Sequence, residues 1–173
     1  MASSLHSTFV PMTSAPDISI RPATSADAAA LAHLRYAFRA AIDPPVEPEP
    51  AFVTRCTRWM AERLAAGSAW RCWVADDRET IVGTVWLGLF GKIPNPVAES
   101  EMLGYVSNLY VLPEHRDHGT GGALLAAAMQ ECDTRRLDAV ILWPTPESRS
   151  LYERHGFALR DDLMERRRVK PPP

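Results

Sequence analysis

A glycine-rich turn between a strand-like run and an amphipathic helix is the clearest chemical signal in this sequence. The segment runs from Leu109 to Leu125, LYVLPEHRDHGTGGALL, and contains Gly119, Gly121 and Gly122. Glycine lets backbone N–H groups approach a ligand without interference from a Cβ atom. The start of a helix adds unpaired N–H donors and a partial positive charge, a combination that binds phosphate groups. The pattern therefore predicts an anion-binding turn, with a purely structural tight turn as the alternative.

Comparison with known phosphate-binding loops excludes two classes of motif. Arg116 and His118 stand beside the turn and could add charge-assisted contacts. A Walker loop needs Lys and then Ser or Thr after its last glycine, whereas Gly121 is followed by Gly122 and Ala123. A dinucleotide fingerprint needs a further glycine at position 124, which is a leucine here. Neither motif is therefore present.

The elements that must position this turn predict a mixed α/β fold of order β-α-α-β-β-β-α-β-α-β-β. Apolar residues at helical spacing predict the helices, and alternating or continuous apolar runs predict the strands. We expect strands at 18–20, 70–75, 80–90, 102–112 and 138–143, and two closing strands at 157–159 and 163–169. The first predicted helix runs from the capping-box pair Thr24 and Asp27 through Phe38, and the second has Phe52, Cys56, Met60 and Leu64 on one face. The third helix is expected at 119–135 and the fourth from Pro146 to about His155.

Length and charge exclude several classes of protein. The chain has 173 residues, which favours one domain, and 19 basic against 21 acidic side chains give a net charge of -2. This balance argues against a nucleic-acid partner, and no apolar run is long enough to predict a membrane span. We expect a disordered extension at residues 1–17, a single domain at 18–169 and a tail at 170–173.

The cysteines and the first residues indicate the compartment. Cys56, Cys72 and Cys132 are odd in number and widely spaced, so neither a disulfide framework nor a metal site is expected. Free thiols suit a reducing compartment. Residues 1–17 lack the basic start and the apolar run of a signal peptide. We therefore expect a cytoplasmic location and three cysteines that pack as small core residues.

The glycine-rich turn resembles motif A of the GNAT (GCN5-related) N-acetyltransferases, (Q/R)xxGx(G/A), which Arg116, Gly119 and Gly121 match. A second segment, LYERHGF at 151–157, resembles the LYExxGF of that family, and IRPATSADAAALAHL resembles its first strand and helix. The resemblance covers about residues 18–169, and it is strongest to a bacterial group of undefined substrate. It implies the GNAT fold, a mixed central β-sheet flanked by about four helices.

The resemblance also implies acetyl-CoA as the co-substrate, with direct transfer of the acetyl group to an amine in a ternary complex. Backbone N–H groups from Arg116 to Gly122 would bind the pyrophosphate. The backbone of Leu109, Tyr110 and Val111 would pair with the pantetheine arm, and one of its N–H groups would polarise the thioester carbonyl, as an oxyanion donor does. The implied cofactor-binding residues are Leu109, Tyr110, Val111, Arg116, Asp117, His118, Gly119, Thr120, Gly121, Gly122, Thr145 and Tyr152.

Tyr152 matches the tyrosine acid of the family and is the implied catalytic residue. A phenol with a pKa of about 10 is a suitable donor to a thiolate whose conjugate acid has a pKa of about 8.5. The alternative is an aromatic residue of the core on an amphipathic helix. Two positions depart from the family pattern, because Asp117 replaces a frequent Gly or basic residue and Thr145 replaces a frequent Asn.

The general base is not assigned by the sequence. Some family members use a Glu near the start of the fourth strand, a position held here by Tyr105 or its neighbours. Glu101 and Glu99 are close in sequence, but both fit plain loop residues, and a chain of water molecules is a further alternative. Asn108 could face the acceptor, and one or two of the five tryptophans could form a wall of the acceptor cleft.

The resulting hypothesis is an N-acetyltransferase that acts on a primary amine of a small molecule or peptide, with no metal. Two alternatives stay open: an inactive module that binds acyl-CoA, and a transferase of a longer acyl group. Intact Tyr152 and an intact glycine loop favour the enzyme. Dimers are common in the family, so a homodimer is also an open alternative. The acceptor itself is not encoded in any motif.

Overall fold

The computed structural model describes residues 18–78 and 80–166. Within these ranges the strands are β1 (Ile18–Pro22), β2 (Trp70–Asp77), β3 (Thr80–Gly91), β4 (Met102–Val111) and β5 (Ala139–Ile141), and the helices are α1 (Ala28–Ala40), α2 (Glu49–Arg63), α3 (Thr120–Thr134) and α4 (Arg149–Glu153). Short 3₁₀ turns at Ser25–Asp27 and Pro113–His115 precede α1 and α3. Residues 1–17 and 170–173, predicted to be an extension and a tail, lie outside the described residues.

The five strands form one sheet in the order of the chain, from β1 to β5. The pairs β1–β2, β2–β3 and β3–β4 are antiparallel, whereas β4–β5 is parallel. A parallel pair needs a crossover connection, and α3 supplies it here. The predicted mixed α/β class is therefore confirmed.

The sheet is covered on both faces, and each face has its own core. On one face Leu124, Leu125 and Ala128 of α3 pack against Val85 and Leu87 of β3. The predicted apolar stripe of α3 accordingly faces the sheet. On the other face α1 and α2 supply a second cluster, whose buried members are Ala28, Leu31, Ala32, Met60, Cys72, Val74 and Trp86. The sheet therefore lies between two helical layers.

An ion-paired cluster fixes the entry into α1. The backbone N–H of Thr24 donates to Oδ2 of Asp27 at 2.7 Å, as the capping-box spacing predicts. Arg21 of β1 donates from Nη2 to Asp27 at 2.9 Å and from Nε to Asp76 of β2 at 2.8 Å. These contacts, the hydrogen bond from Arg21 first, lower the pKa of Asp27 to about 2. The start of α1 is thereby tied to the first two strands.

A β-bulge interrupts the pairing of β4 with β3. Thr84 pairs with Tyr110 and Trp86 pairs with Ser107, so β4 contains one more residue than β3 over this stretch. Asn108 lies in the extra segment with φ 52°, in the left-handed region that asparagine tolerates better than most residues. Bulges of this kind commonly lie beside functional sites.

The two predicted closing strands are wrong for the residues that the structure describes. Residues 157–160 and 163–166 contain no strand, and 167–169 lie outside the described residues. The apolar side chains that made the pattern strand-like are exposed, since Leu159, Leu163 and Met164 are 68, 58 and 95% accessible. An alternating pattern forms a strand only where a partner strand is available, and sequence alone does not supply that partner. Up to residue 166, the last one described, the observed order therefore ends at α4.

Candidate active site

A cleft opens where β4 and β5 separate. The two strands pair only from Leu103 with Ala139 to Tyr105 with Ile141, while β4 continues to Val111. The later part of β4 is thus paired with β3 on one side only. Its free side faces the start of α3 and the segment that leads into α4.

The first cleft, here named the α3 cleft, lies along this free edge and has a volume of about 480 Å³. It contains eleven of the twelve residues predicted to bind the cofactor: Leu109, Tyr110, Val111, Arg116, Asp117, Gly119, Thr120, Gly121, Gly122, Thr145 and Tyr152. The twelfth, His118, is exposed and is not part of the lining. The structure thus brings residues from three separate segments into one cleft.

The loop before α3 has free backbone donors. The first helical bond of α3 runs from the N–H of Ala123 to the carbonyl of Gly119 at 3.0 Å. The N–H groups of Thr120, Gly121 and Gly122 therefore precede the helical ladder and lack a carbonyl one turn earlier. This arrangement fits an anion such as a pyrophosphate.

Left-handed backbone at two positions shapes the loop. Gly119 has φ 82° and Asp117 has φ 63°. This conformation explains why glycine is suitable at position 117 and why aspartate, which tolerates the left-handed region, can replace it. Alternating conformations of this type turn successive N–H groups toward one point, which favours anion binding.

Arg116 acts on the loop through its side chain. Its Nε donates to the carbonyl of Val111 at 2.9 Å, and its guanidinium lies 5.6 Å from the centre of the Tyr110 ring. Its own N–H donates to the carbonyl of Pro113 at 3.3 Å. Arg116 thus fastens the loop to the end of β4, and the N–H groups left for a ligand begin after it. Arg154, directly after α4, also lines the cleft, a cation that sequence reasoning missed although it lies two residues after Tyr152.

A second cleft, here named the tryptophan cleft, lies on the other side of β4 and has a volume of about 440 Å³. Its walls include Trp59, Trp70, Trp86, Tyr105 and Trp143. The rings of the first three lie 5.7 to 6.2 Å apart, centre to centre, and form one aromatic cluster. Four of the five tryptophans line this cleft, all except Trp73, whereas one or two were expected in the wall of an acceptor cleft; that an acceptor binds here stays a prediction.

The two clefts meet at five shared residues: Phe38, Leu109, Thr145, Ser148 and Tyr152. The ring of Tyr152 packs edge-on against Phe157 at 5.8 Å. Burial raises the pKa of Tyr152 above its ordinary value of about 10, so the phenol keeps its proton at neutral pH. A proton donor therefore stands at the meeting point of the clefts.

The turn before α4 holds Thr145 in place. The N–H of Thr145 donates to Oγ of Ser148 at 2.9 Å, and the N–H of Ser148 donates back to Oγ1 of Thr145 at 3.3 Å. This reciprocal pair closes the turn at 146–148, so the α-helix starts at Arg149 and not at Pro146 as predicted. Thr145 and Ser148 thereby present their polar atoms at the junction of the clefts.

Neither candidate base lines a cleft. Glu99 pairs with Lys92 at 3.1 Å and accepts from Nδ2 of Asn95 at 2.6 Å. Glu101 accepts from the N–H of Asn95 at 3.3 Å. Both carboxylates therefore organise the loop between β3 and β4. The described residues that line the tryptophan cleft include no carboxylate at all.

Arg35 of α1 is a site residue that sequence reasoning missed. Its Nη1 donates to Oδ1 of Asn108 at 3.0 Å, and both residues line the tryptophan cleft. A signal was present in the sequence, because Arg35 falls four residues after Leu31 and three before Phe38, on the apolar face of the helix. A charged side chain on the apolar face of a helix either lowers the stability of the fold by its burial or has a role in a functional site.

Residues 68–159, more than half of the chain, match the family model of the acetyltransferase (GNAT) domain. The chain belongs to the GNAT acetyltransferase family. The matched range contains the glycine loop, β4, β5 and Tyr152. Members of this family use acetyl-CoA as co-substrate, and the unpaired N–H groups at the start of α3 fit its pyrophosphate.

Solved structures agree with this assignment of the fold. A predicted acetyltransferase from Clostridium acetobutylicum, solved with acetyl-CoA, superposes with a TM-score of 0.71 at 22% identity, over 87% of this chain and 96% of the other. A GCN5-related N-acetyltransferase from Ralstonia eutropha JMP134 gives 0.66 at 26% identity, over 86 and 97%. A ribosomal-protein-alanine N-acetyltransferase from Brucella melitensis biovar Abortus 2308 gives 0.64 at 22% identity, over 88 and 99%. No curated protein sequence matches significantly.

Three further observations apply to the described part of this GNAT protein. Across residues 18–78 and 80–166, no helix has the length and apolar character that a membrane crossing requires. Over the same ranges, no three His, Cys, Asp or Glu side chains are grouped as metal ligands would be. The three cysteines are free, with Cys72 and Cys132 buried and Cys56 partly buried.

Proposed function

We propose that this GNAT protein transfers the acetyl group of acetyl-CoA to a primary amine by direct attack in a ternary complex. The observation that carries the proposal is the junction of the two clefts at Tyr152, Leu109 and Ser148. One cleft has the free donors that a pyrophosphate needs, and the other is open to a second molecule. Reacting atoms from the two sides would meet beside the phenol.

Acetyl-CoA would lie in the α3 cleft. The N–H groups from Asp117 to Gly122 would bind its pyrophosphate, aided by Arg154 at the rim. The free edge of β4, from Val106 to Val111, offers backbone groups to the pantetheine arm, because β5 has turned away from it. The bulge with left-handed backbone at Asn108 lies in β4 directly before the junction residue Leu109, and a backbone N–H group at this point would donate to the thioester carbonyl.

The reaction joins the amine nitrogen to the thioester carbon and breaks the bond from that carbon to sulfur. Tyr152 would donate a hydrogen bond from its hydroxyl to the departing sulfur, which leaves as a thiolate and then takes a proton from solvent. Because burial raises the pKa of Tyr152 above its ordinary value of about 10, the hydroxyl keeps its hydrogen at neutral pH. The amine releases its own proton to solvent, because no carboxylate of the described residues lines the acceptor side.

Titration calorimetry with acetyl-CoA tests the cofactor assignment on the wild type, Gly121→Asp and Gly121→Ala. A Cβ at position 121 would lie 3.6 Å from Leu151, an ordinary contact, so the alanine variant should fold and bind. The aspartate variant places a negative charge against the pyrophosphate. It should keep its folding stability, because an acidic residue in the first turn of a helix is favourable.

Micromolar binding by the wild type and Gly121→Ala, with loss of binding in Gly121→Asp, supports the proposal. If neither acetyl-CoA nor a longer acyl-CoA binds the wild type, the cofactor assignment is wrong. Tight binding without release of CoA from any of a broad set of amines would favour an inactive acyl-CoA-binding module. Preference for a longer acyl-CoA in the same titration would favour transfer of that acyl group.

A further inference from the structure

We propose that the acceptor is a free amino acid with an aromatic or large apolar side chain, whose carboxylate is bound by Arg35. This inference rests on the proposed acetyl transfer and specifies its substrate class. It depends on three properties of the tryptophan cleft: its charge, the position of that charge relative to the junction, and its aromatic wall.

The charge of the cleft lining is positive, and no carboxylate contacts Arg35 within the described chain. Arg35 and Arg39, one helical turn apart on α1, both line the cleft, and the described lining contains no acidic side chain. Within the described chain the polar partner of the partly buried Arg35 guanidinium is the neutral Oδ1 of Asn108. Arg39 contacts Asp43 at 3.4 Å, an exposed pair of the kind that contributes little.

An uncompensated guanidinium favours an anionic ligand. Burial and then the charge of Arg39 lower the pKa of Arg35, which reflects the cost of holding this charge without a partner. A carboxylate can accept two parallel hydrogen bonds from a guanidinium and would remove that cost. A polycationic acceptor such as a polyamine would instead be repelled.

The position of Arg35 sets how far the carboxylate lies from the reacting amine. The guanidinium carbon is 5.6 Å from the centre of the Phe38 ring, and Phe38 lines both clefts. Its partner Asn108 directly precedes Leu109, a second junction residue. The anion site is thus beside the junction, so the carboxylate and amino groups must be separated by only a few bonds, as in an amino acid.

The aromatic wall of the tryptophan cleft would contact the side chain of the amino acid, the third group on its α-carbon after the amine and the carboxylate. Trp59, Trp70 and Trp86 line the tryptophan cleft but not the α3 cleft, so they lie away from the junction. Trp59 is 39% exposed and is available to a ligand, whereas Trp86 is 2% exposed and supports the others. A ring or branched alkyl group would gain contact with this wall.

The positive charge of Arg35 would also help to deprotonate the acceptor amine, for which the cleft offers no carboxylate base. A cation near an amine disfavours its protonated form and lowers its pKa. Arg35 would therefore help to supply the neutral amine that attacks, while its contact with the carboxylate holds the substrate. This role needs no carboxylate base in the cleft.

Steady-state release of CoA thiol tests the inference with phenylalanine, tryptophan and leucine as acceptors. Phenylalaninamide and phenethylamine lack the carboxylate, and spermidine represents polycations. The variants are Arg35→Gln and Arg35→Lys, with Arg58→Gln of α2 as the matched control, because Arg58 is exposed and lines neither cleft. Thermal melts and acetyl-CoA titrations of each variant check folding and the α3 cleft.

We expect kcat/KM for the best amino acid to exceed that of its amide by about 10- to 100-fold, the value of a charge-assisted contact. Arg35→Gln should remove this preference through KM, Arg35→Lys should restore part of it, and Arg58→Gln should leave it unchanged. Acetyl-CoA affinity should be the same in all four proteins.

Product binding gives a readout that does not depend on turnover. N-acetylphenylalanine should bind the wild type, whereas N-acetylphenethylamine should bind at least tenfold more weakly, and Arg35→Gln should equalise them. Equal binding of both products, or faster acetylation of the amide or of spermidine, overturns the inference while the transferase proposal stands. Absence of acetyl-CoA binding would instead overturn the transferase proposal itself.

Discussion

Replacement of Tyr152 by phenylalanine removes the proposed acid and almost nothing else. The edge-on contact with Phe157 depends on the ring, which phenylalanine retains. The hydroxyl of Tyr152 makes no hydrogen bond with the described part of the chain. The variant should therefore melt within a few degrees of the wild type and bind acetyl-CoA with unchanged affinity.

The size of the kinetic effect follows from the pKa of the two partners. Burial raises the pKa of Tyr152 above about 10, whereas a thiol ionises near 8.5, so full proton transfer to the thiolate is uphill by about 2 kcal/mol or more. The phenol thus acts mainly as a hydrogen-bond donor to developing negative charge. Such a bond contributes about 1.5–3 kcal/mol, which predicts a fall in kcat of roughly 10- to 150-fold.

The assay is CoA-thiol release at saturating acetyl-CoA, across pH 6 to 10, for wild type, Tyr152→Phe and Tyr36→Phe. Tyr36 packs against Phe52 and lines neither cleft, so its variant is the control for loss of a phenol. In the wild type the rate should show no decline as the pH is raised to 10, because the raised pKa of Tyr152 keeps its phenol protonated over this range. A kcat for Tyr152→Phe within threefold of the wild type would refute the role of Tyr152 as donor.

Three further predictions follow from the geometry. Because the described lining of the tryptophan cleft lacks a carboxylate, log kcat/KM should rise with pH at unit slope up to the pKa of the acceptor amine. The variants Glu99→Gln and Glu101→Gln should not change that pH profile. An inflection between pH 4 and 7 that either variant abolishes would contradict this prediction. Asp27 has a folded-state pKa of about 2, so its contribution is complete above about pH 4 and is lost as pH falls through 2. Asp27→Asn should therefore lower the free energy of unfolding in urea by about 2 kcal/mol at pH 7 and by much less near pH 2, whereas an equal loss at both would exclude the ion pair as the cause. Leu124 is fully buried between α3 and the sheet, so Leu124→Ala should lower the free energy of unfolding by about 2–5 kcal/mol without changing KM, and a loss below 1 kcal/mol would show that the site collapses around the cavity.

Features encoded in short segments could be predicted from the sequence. The glycine loop and α3 depend on neighbouring residues, so the predicted helix at 119–135 corresponds closely to Thr120–Thr134. The capping pair Thr24 and Asp27 is likewise local. Eleven of the twelve predicted cofactor residues line one cleft, although binding by any of them stays a prediction.

Features that depend on distant partners could not be predicted in the same way. The closing strands failed because Leu159, Leu163 and Met164 have the spacing of a strand but are exposed and pair with no other strand in the described chain. Arg35 and Asn108 are 73 residues apart, and neither local sequence indicates the other. The tryptophan cleft, where we propose that the acceptor binds, combines residues that are distant in the sequence, so its composition could be determined only from the fold.

The bulge in β4 also determines which layer each neighbouring side chain joins. Paired residues share a face, so Ser107, opposite Trp86, and Tyr110, opposite Thr84, both face α1 although they are three positions apart. Without the extra residue, Tyr110 would face α3 and lose its contact with the Phe38 ring, 5.1 Å away. The length of this strand is therefore under tighter constraint than its composition. Deletion of residue 108 would move the side chains at the end of β4 to the opposite faces of the sheet, whereas a substitution at 108 would leave them on the faces where they line the two clefts.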